Sequence, residues 1–310
     1  MPRTPYRRLA PAALILWCLS GPASAVVPEQ WRVRTAAEFG AGELRGVGIG
    51  EDGALRLAPR LEELYAAADP YLWSLVADRK GTLYAGSGDE GRVFRVRPGK
   101  GGEVLFDSEE LEVHGLALGK DGRLFAATSP DGKVYRMGDA GDAEEFFDPG
   151  QAYIWDLATL PDGDLLVATG PEGILFRVGP DGEGRVWFDS EDTHIRSLLV
   201  DPDGTVFAGT SGQGLVVRIA SDGVPFVLYD SPLEEIVDLA RSPDGTLYAA
   251  ALASQRREAA PLIEPPRQPG EQTEQQRAEQ QRQQRQPPPR TNLIYRIDPE
   301  GGVRELWRTD

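Results

Sequence analysis

The chain is poor in the residues from which most catalytic sites are built. Cysteine occurs once, as Cys18, asparagine once, as Asn292, and histidine twice, as His114 and His194. Cys18 lies inside the N-terminal segment described below, so once that segment is removed no thiol remains. Disulfides, thiolate metal sites and cysteine nucleophiles are thereby excluded, and stability must come from burial across many strands. Two histidines leave few general bases, and no Ser-His-Asp arrangement of the nucleophile-elbow type is visible. Positive charge is also scarce: 33 Lys and Arg face 49 Asp and Glu, for a net charge of −16. A surface this acidic repels nucleic-acid backbones and anionic lipid heads, so neither is an expected partner.

At the N-terminus, Arg3, Arg7 and Arg8 precede an apolar stretch from Leu9 to Leu19, and Ala23-Ser24-Ala25 supplies the small residues of a cleavage site. Together these read as a secretory signal peptide over residues 1–25. The apolar stretch is shorter than the roughly 20 residues needed to span a bilayer, so no membrane span is expected after cleavage. Bulky Trp17 before Cys18 argues against lipid attachment. Removing residues 1–25, which carry three Arg and no acid, takes the net charge from −16 to −19. The expected location is the periplasm or the exterior.

What the chain has in abundance is repetition. Trp73-Ser-Leu, His114-Gly-Leu, Trp155-Asp-Leu, Arg196-Ser-Leu and Val237-Asp-Leu recur at a fixed spacing of 41 residues. Each copy holds four short apolar runs parted by Gly, Pro and Asp. The simplest such unit is one four-stranded blade of an all-β propeller. In the copy from Arg196, the runs are Arg196–Val200, Thr205–Thr210, Leu215–Ile219 and Pro225–Tyr229. Pro161-Asp-Gly163, Pro202-Asp-Gly204 and Pro243-Asp-Gly245 place proline where φ is near −65° and glycine where φ turns positive, so their aspartates read as turn residues rather than metal ligands. Second runs such as Thr82–Gly86 and Thr205–Gly209 mix large residues with Ala and Gly, which lets neighbouring blades approach. Arg95, Arg136, Arg177, Arg218 and Arg296 stand in phase on five blades and read as repeated surface or inter-blade contacts.

Leu44–Gly50, Gly53–Leu57 and Leu61–Tyr65 echo the second to fourth runs in worn form, with Trp31–Phe39 as an inner strand. Residues 26–310, less the insert at 254–291, amount to about six 41-residue units. The expected fold is therefore a six-bladed β-propeller domain over 26–310, or an incomplete ring if the chain is a piece of a longer protein. The insert, rich in Gln, Arg, Glu and Pro, cannot bury enough apolar surface to offset its ordering and is expected to be disordered.

Residues that recur in every copy serve the ring, and those that vary at one phase are free for another role. The phase at the opening of the inner strand varies most: Trp73, His114, Trp155, Arg196 and Val237, followed by Ser74, Gly115, Asp156, Ser197 and Asp238, and preceded two residues earlier by Tyr71, Glu112, Tyr153, His194 and Glu235. Propeller geometry crowds these at one mouth of the central channel, on the face that also carries the insert. The candidate ligand-binding residues are Trp73, His114, Trp155, Arg196, Asp156, Asp238, Tyr153 and His194, able to stack on a sugar or flat ring and to hydrogen-bond its edge. Read the other way, the indoles merely plug the channel. A metal held by His114 and His194 with Glu112 or Asp156 lacks the short fixed spacing of strong metal motifs. No cofactor is expected.

The copies Gly81-Thr-Leu-Tyr-Ala-Gly-Ser-Gly-Asp-Glu-Gly-Arg-Val-Phe-Arg-Val96 and Gly122-Arg-Leu-Phe-Ala-Ala-Thr-Ser-Pro-Asp-Gly-Lys-Val-Tyr-Arg-Met137 resemble the repeats of bacterial WD-like, NHL-like and two-component-regulator propellers. The resemblance covers residues 44–310 apart from the insert and implies the fold. The scaffold hosts sensors, lyases, hydrolases and docking modules alike. Gluconolactonase-like propellers bind calcium through Glu, Asp and Asn, a set that one asparagine cannot assemble here. Streptogramin-lyase-like propellers rely on histidine. The expected role is a non-catalytic, exported ligand-sensing or protein-interaction module, with a protein or small-molecule or glycan partner. The alternative is a metal-dependent lactonase or lyase using His114, His194 and nearby acids.

Overall fold

The computed structural model describes residues 45–50, 52–59, 62–253 and 291–309. The signal peptide expected at 1–25, the inner strand expected at 31–39 and all but the last residue of the insert expected at 254–291 lie outside the described residues. The chain divides into two compact units, Met1–Glu62 and Glu63–Asp310. Within the first, β1 (Val47–Ile49) and β2 (Leu55–Leu57) pair antiparallel with Gly48 opposite Arg56. These are the second and third runs of the worn copy.

The second unit is built of antiparallel four-stranded sheets, and no helix occurs among the described residues. The first sheet comprises β3 (Leu72–Ala77), β4 (Leu83–Ser87), β5 (Arg92–Arg97) and β6 (Gly101–Asp107), paired in chain order. The second comprises β7 (Glu112–Leu118), β8 (Leu124–Ser129), β9 (Val134–Met137) and β10 (Ala143–Phe147). The third comprises β11 (Tyr153–Thr159), β12 (Leu165–Gly170), β13 (Ile174–Val178) and β14 (Gly184–Asp189). Next come β15 (His194–Val200), β16 (Val206–Ser211), β17 (Leu215–Ile219) and β18 (Pro225–Asp230). The last sheet is β19 (Glu235–Arg241), β20 (Leu247–Leu252), β21 (Asn292–Ile297) and β22 (Val303–Thr309), joined to the fourth by one bridge between Ser211 and Glu235.

Turn chemistry sets these boundaries. Gly204 has φ of 86°, its N–H donates to the Asp201 carbonyl, and the Asp203 carboxylate accepts the Thr205 N–H at 2.9 Å. The Asp-Gly turns are structural, and their acids are occupied by backbone. The insert leaves and returns through a closed neck, since the Ala253 N–H donates to the Thr291 carbonyl at 3.1 Å.

The core is laid down between sheets. One cluster joins Tyr84 and Val93 to Val113, Leu116 and Met137. The next joins Phe125 and Val134 to Ile154, Leu165 and Val167. A third joins Leu166 and Leu175 to Ile195 and Val217, and a fourth joins Phe207 and Val216 to Ile236 and Tyr295. Each cluster therefore draws on two consecutive sheets, so the burial that stabilises one sheet is the burial that fixes its neighbour. Small residues permit this approach. A Cβ on Gly86 would lie 2.6 Å from the Val113 carbonyl oxygen, and one on Gly209 would lie 2.6 Å from the Ile236 side chain, in both cases on the following sheet.

Rings on fourth strands pack on third strands of the next sheet: Phe106 on Tyr135 at 5.1 Å, Phe147 on Phe176 at 5.5 Å, and Tyr229 on Tyr295 at 4.9 Å between centroids. Tyr65 meets Phe94 in the same way at 6.0 Å, one repeat earlier. The expected fourth run of the worn copy thus survives as a packing contact, although residues 62–67 form no strand. The in-phase arginines act both within and between sheets. Arg95 pairs with Glu103 at 2.7 Å and donates to the Asp139 carbonyl of the next sheet, and Arg136 pairs with Glu144 at 2.6 Å and donates to the Pro180 carbonyl at 3.2 Å.

Candidate functional site

The inner strands β3, β7, β11, β15 and β19 follow one another side by side, and each is interrupted by a register shift at the same place. The residues skipped by the ladders are Trp73, His114, Trp155, Arg196 and Val237. The phase that varies most in sequence is thus a β-bulge in each of the five four-stranded sheets described. A bulge releases one residue from cross-strand pairing and re-aims its side chain, so the ring tolerates any residue there.

The released side chains meet. Trp73 and His114 have centroids 5.7 Å apart, His114 and Trp155 4.8 Å, and Trp155 and His194 5.4 Å, the last pair edge to face. Tyr71 stacks on Trp73 at 5.6 Å and Tyr153 on Trp155 at 5.2 Å, with interplanar angles of 9° and 13°. These stacks form because residues two apart on a strand share a face. The Arg196 guanidinium covers the Trp155 ring at 3.7 Å from its centroid. The row is graded in exposure: Tyr71 is 51% and Trp73 49% exposed, whereas Trp155, Tyr153, His114, His194 and Arg196 are half-buried.

Polar partners fix the rings. His114 Nε2 lies 2.7 Å from a Glu112 carboxylate oxygen. Burial lowers the His114 pKa below its ordinary value, as does the Arg196 charge, against the opposing pull of Glu112. The Trp155 indole N–H donates to His194 Nδ1 at 3.0 Å. His194 is also shifted down, by burial and then by Arg196, so the neutral ring carries its proton on Nε2. Burial lowers the pKa of Arg196 as well.

One step beyond the bulge, Asp156 accepts the Leu157 N–H on its own strand and the Leu198 N–H of the next sheet, both at 2.8 Å. Desolvation nonetheless raises its pKa to about 7, with the Asp238 carboxylate two sheets on pushing the same way. Asp238 is exposed and accepts the Leu239 N–H at 2.8 Å. His114 thus feels the Arg196 charge, and Asp156 the Asp238 charge, each across an intervening sheet.

Of the eight candidates, the structure joins Trp73, His114, Trp155, Tyr153, His194 and Arg196 in one contact network, and ties Asp156 to Asp238 electrostatically. Trp155 stands between the two histidines. Among the described residues, no three His, Cys, Asp or Glu side chains gather as a metal site. At the opposite ends of the inner strands lies a cavity of about 850 Å³, whose lining includes Arg79, Lys80, Tyr84, Lys120, Asp139 and Asp201. Sequence reasoning passed over it. The available signal was that Arg79-Lys80 replace the Pro-Asp of the later turns and Lys120 their proline, a departure from repetition at a second phase.

An all-β chain of serial four-stranded sheets, each sharing its core with the next around converging inner strands, is a β-propeller repeat protein. No protein-family model matches the chain, and no curated protein matches it by sequence. Among solved structures, it is similar to a streptogramin B lyase, with 11% identity, a TM-score of 0.60, and coverage of 85% of this chain and 76% of that one. It is similar to virginiamycin B lyase from Staphylococcus aureus at 13% identity and TM-score 0.56, covering 76% and 69% of the two chains. The WD40 β-propeller domain of Doa1 matches at 14% identity and TM-score 0.50, covering 58% of this chain and 60% of that one. At these identities the likeness defines the fold, which enzymes and interaction domains share.

Proposed function

We propose that the protein is an exported, non-catalytic propeller that binds a ligand or partner through the bulge-lined channel mouth. The observation that carries this reading is the convergence of Trp73, His114, Trp155 and Arg196, one from each of four sheets, into a continuous aromatic and cationic surface. None of these residues belongs to the apolar clusters between sheets. Stacked rings with one exposed end favour a flat or cyclic ligand, and polar edges supply orientation. The test is binding of a glycan panel and of periplasmic-extract components to wild type and to the Trp155→Ala/Arg196→Ala double variant. Loss of a specific binder supports the reading, and unchanged binding refutes it.

A second reading is favoured by the Glu112–His114 pair. A carboxylate 2.7 Å from Nε2 leaves Nδ1 of a neutral imidazole as a base, the form needed for lyase chemistry of the kind named for the streptogramin lyases. His194 does not suit that role, because its Nδ1 is occupied by the Trp155 N–H. Turnover of a cyclic ester substrate that is lost in His114→Ala would favour this reading over pure binding.

A further inference from the structure

Arg196, on an inner strand, differs from the paired arginines of the third strands. Arg92 pairs with Asp69 at 2.8 Å, Arg95 with Glu103 at 2.7 Å, Arg136 with Glu144 at 2.6 Å, Arg177 with Asp164 at 2.7 Å and Arg296 with Asp298 at 2.9 Å. Arg196 is half-buried, forms no salt bridge among the described residues, and its Nε is buried without a hydrogen-bond partner there. The hydroxyl of the adjacent Ser197 is likewise buried and unpartnered. Acids are not lacking nearby, but each is engaged. Glu112 holds His114, Glu235 accepts from the Ser211 hydroxyl at 2.8 Å, and Asp156 accepts two backbone N–H groups. Among the described residues, Arg196 thus has no hydrogen-bonded acid: it feels the Glu235 charge at a distance and lies over the Trp155 ring at the end of the aromatic row. An unpaired buried charge is costly, and its fork of donors matches an oxyanion.

We infer that the channel mouth takes a small cyclic acid, its carboxylate or other oxyanion held by the Arg196 guanidinium and its ring laid along the Trp73–Trp155 row. This rests on the channel-mouth reading above and assigns the ligand class. His194, whose Nδ1 accepts the Trp155 indole N–H, offers its Nε2–H as a second donor beside Trp155.

The test is calorimetric titration of the full chain with matched acid and neutral pairs: benzoate with benzamide, indole-3-acetate with indole-3-acetamide, and trigalacturonate with galactotriose. At least one acid is expected to bind about tenfold or more tightly than its neutral partner, the effect of a charge-assisted contact. Arg196→Gln should erase that difference, Arg196→Lys should restore part of it, and unchanged melting temperatures would show that both variants fold. Acid and neutral members binding alike, with both lost in Trp155→Ala, would overturn the oxyanion assignment while leaving the mouth reading intact. Acid binding that survives both Arg196→Gln and Trp155→Ala would overturn both readings. Loss in Arg79→Gln/Lys80→Gln instead would move the anion to the opposite cavity and overturn the proposal. It is overturned too if no acid binds below about 10 mM, or if acidic peptides bind and the cyclic acids do not.

Discussion

Asp156 permits a quantitative test of how tightly the inner strands enclose their shared centre. Its pKa stands at about 7 against 3.8 for an ordinary aspartate, with desolvation as the leading cause. At 1.36 kcal/mol per unit this corresponds to about 4 kcal/mol, and because part of the side chain still meets water we take roughly 2–4 kcal/mol. The sign follows from proton counting. Between pH 4 and 7 the folded state holds a proton that the unfolded state has released, so the group's contribution to stability falls as pH rises through that window and is level above it. Asp156→Asn removes the titration but offers one acceptor to two N–H donors, a roughly constant cost of about 1–2 kcal/mol. Urea denaturation of both proteins at intervals from pH 4.5 to 8.5 should therefore show the variant less stable at the acid end. It should then gain on wild type by roughly 2–4 kcal/mol as pH rises. A stability difference that stays constant across that range would refute the reasoning, since it would mean that Asp156 titrates as an exposed carboxyl.

Three further outcomes are expected. Arg196→Met should change stability by no more than about 1 kcal/mol in chemical denaturation, because the lost cation–π contact is offset by relief of an unpaired, desolvated charge; a loss of several kcal/mol would show that Arg196 is structural. Gly86→Ala should cost roughly 1–3 kcal/mol in the same assay, since its Cβ would press on the Val113 backbone carbonyl of the next sheet. Ile154→Ala, fully buried between sheets, should cost about 3 kcal/mol, whereas Leu306→Ala, 57% exposed on β22, should fall within about 0.5 kcal/mol.

Much of the fold is legible in sequence because its information is local and repeated. A Pro-Asp-Gly turn needs only its own residues, and the small residue at 86 and 209 reports a close approach without naming what approaches. The phase of the candidate site was legible for the same reason, as a departure from repetition. The bulge there was not: bulging is a property of pairing, and the spacing from Ile154 to Asp156 looks the same whether or not Trp155 is skipped. Side-chain commitments were also hidden. Glu112 and Glu235 occupy equivalent positions, yet one binds an imidazole and the other a serine hydroxyl of the preceding sheet. The two histidines, potential co-ligands in sequence, are separated by the Trp155 ring. The worn copy before Trp73 shows the limit of pattern reading, since Tyr65 keeps its ring contact with Phe94 after its strand has gone.

The most direct measurement of the channel-mouth assignment is an NMR titration of ¹⁵N-labelled indole N–H groups with the tightest-binding cyclic acid, assigned by single Trp→Phe substitutions. Binding at the mouth predicts shifts for Trp155, whose N–H is held by His194, and for Trp73, with Trp187 and Trp307 unmoved. Shifts confined to Trp187 or Trp307, or none at saturating ligand, would contradict it.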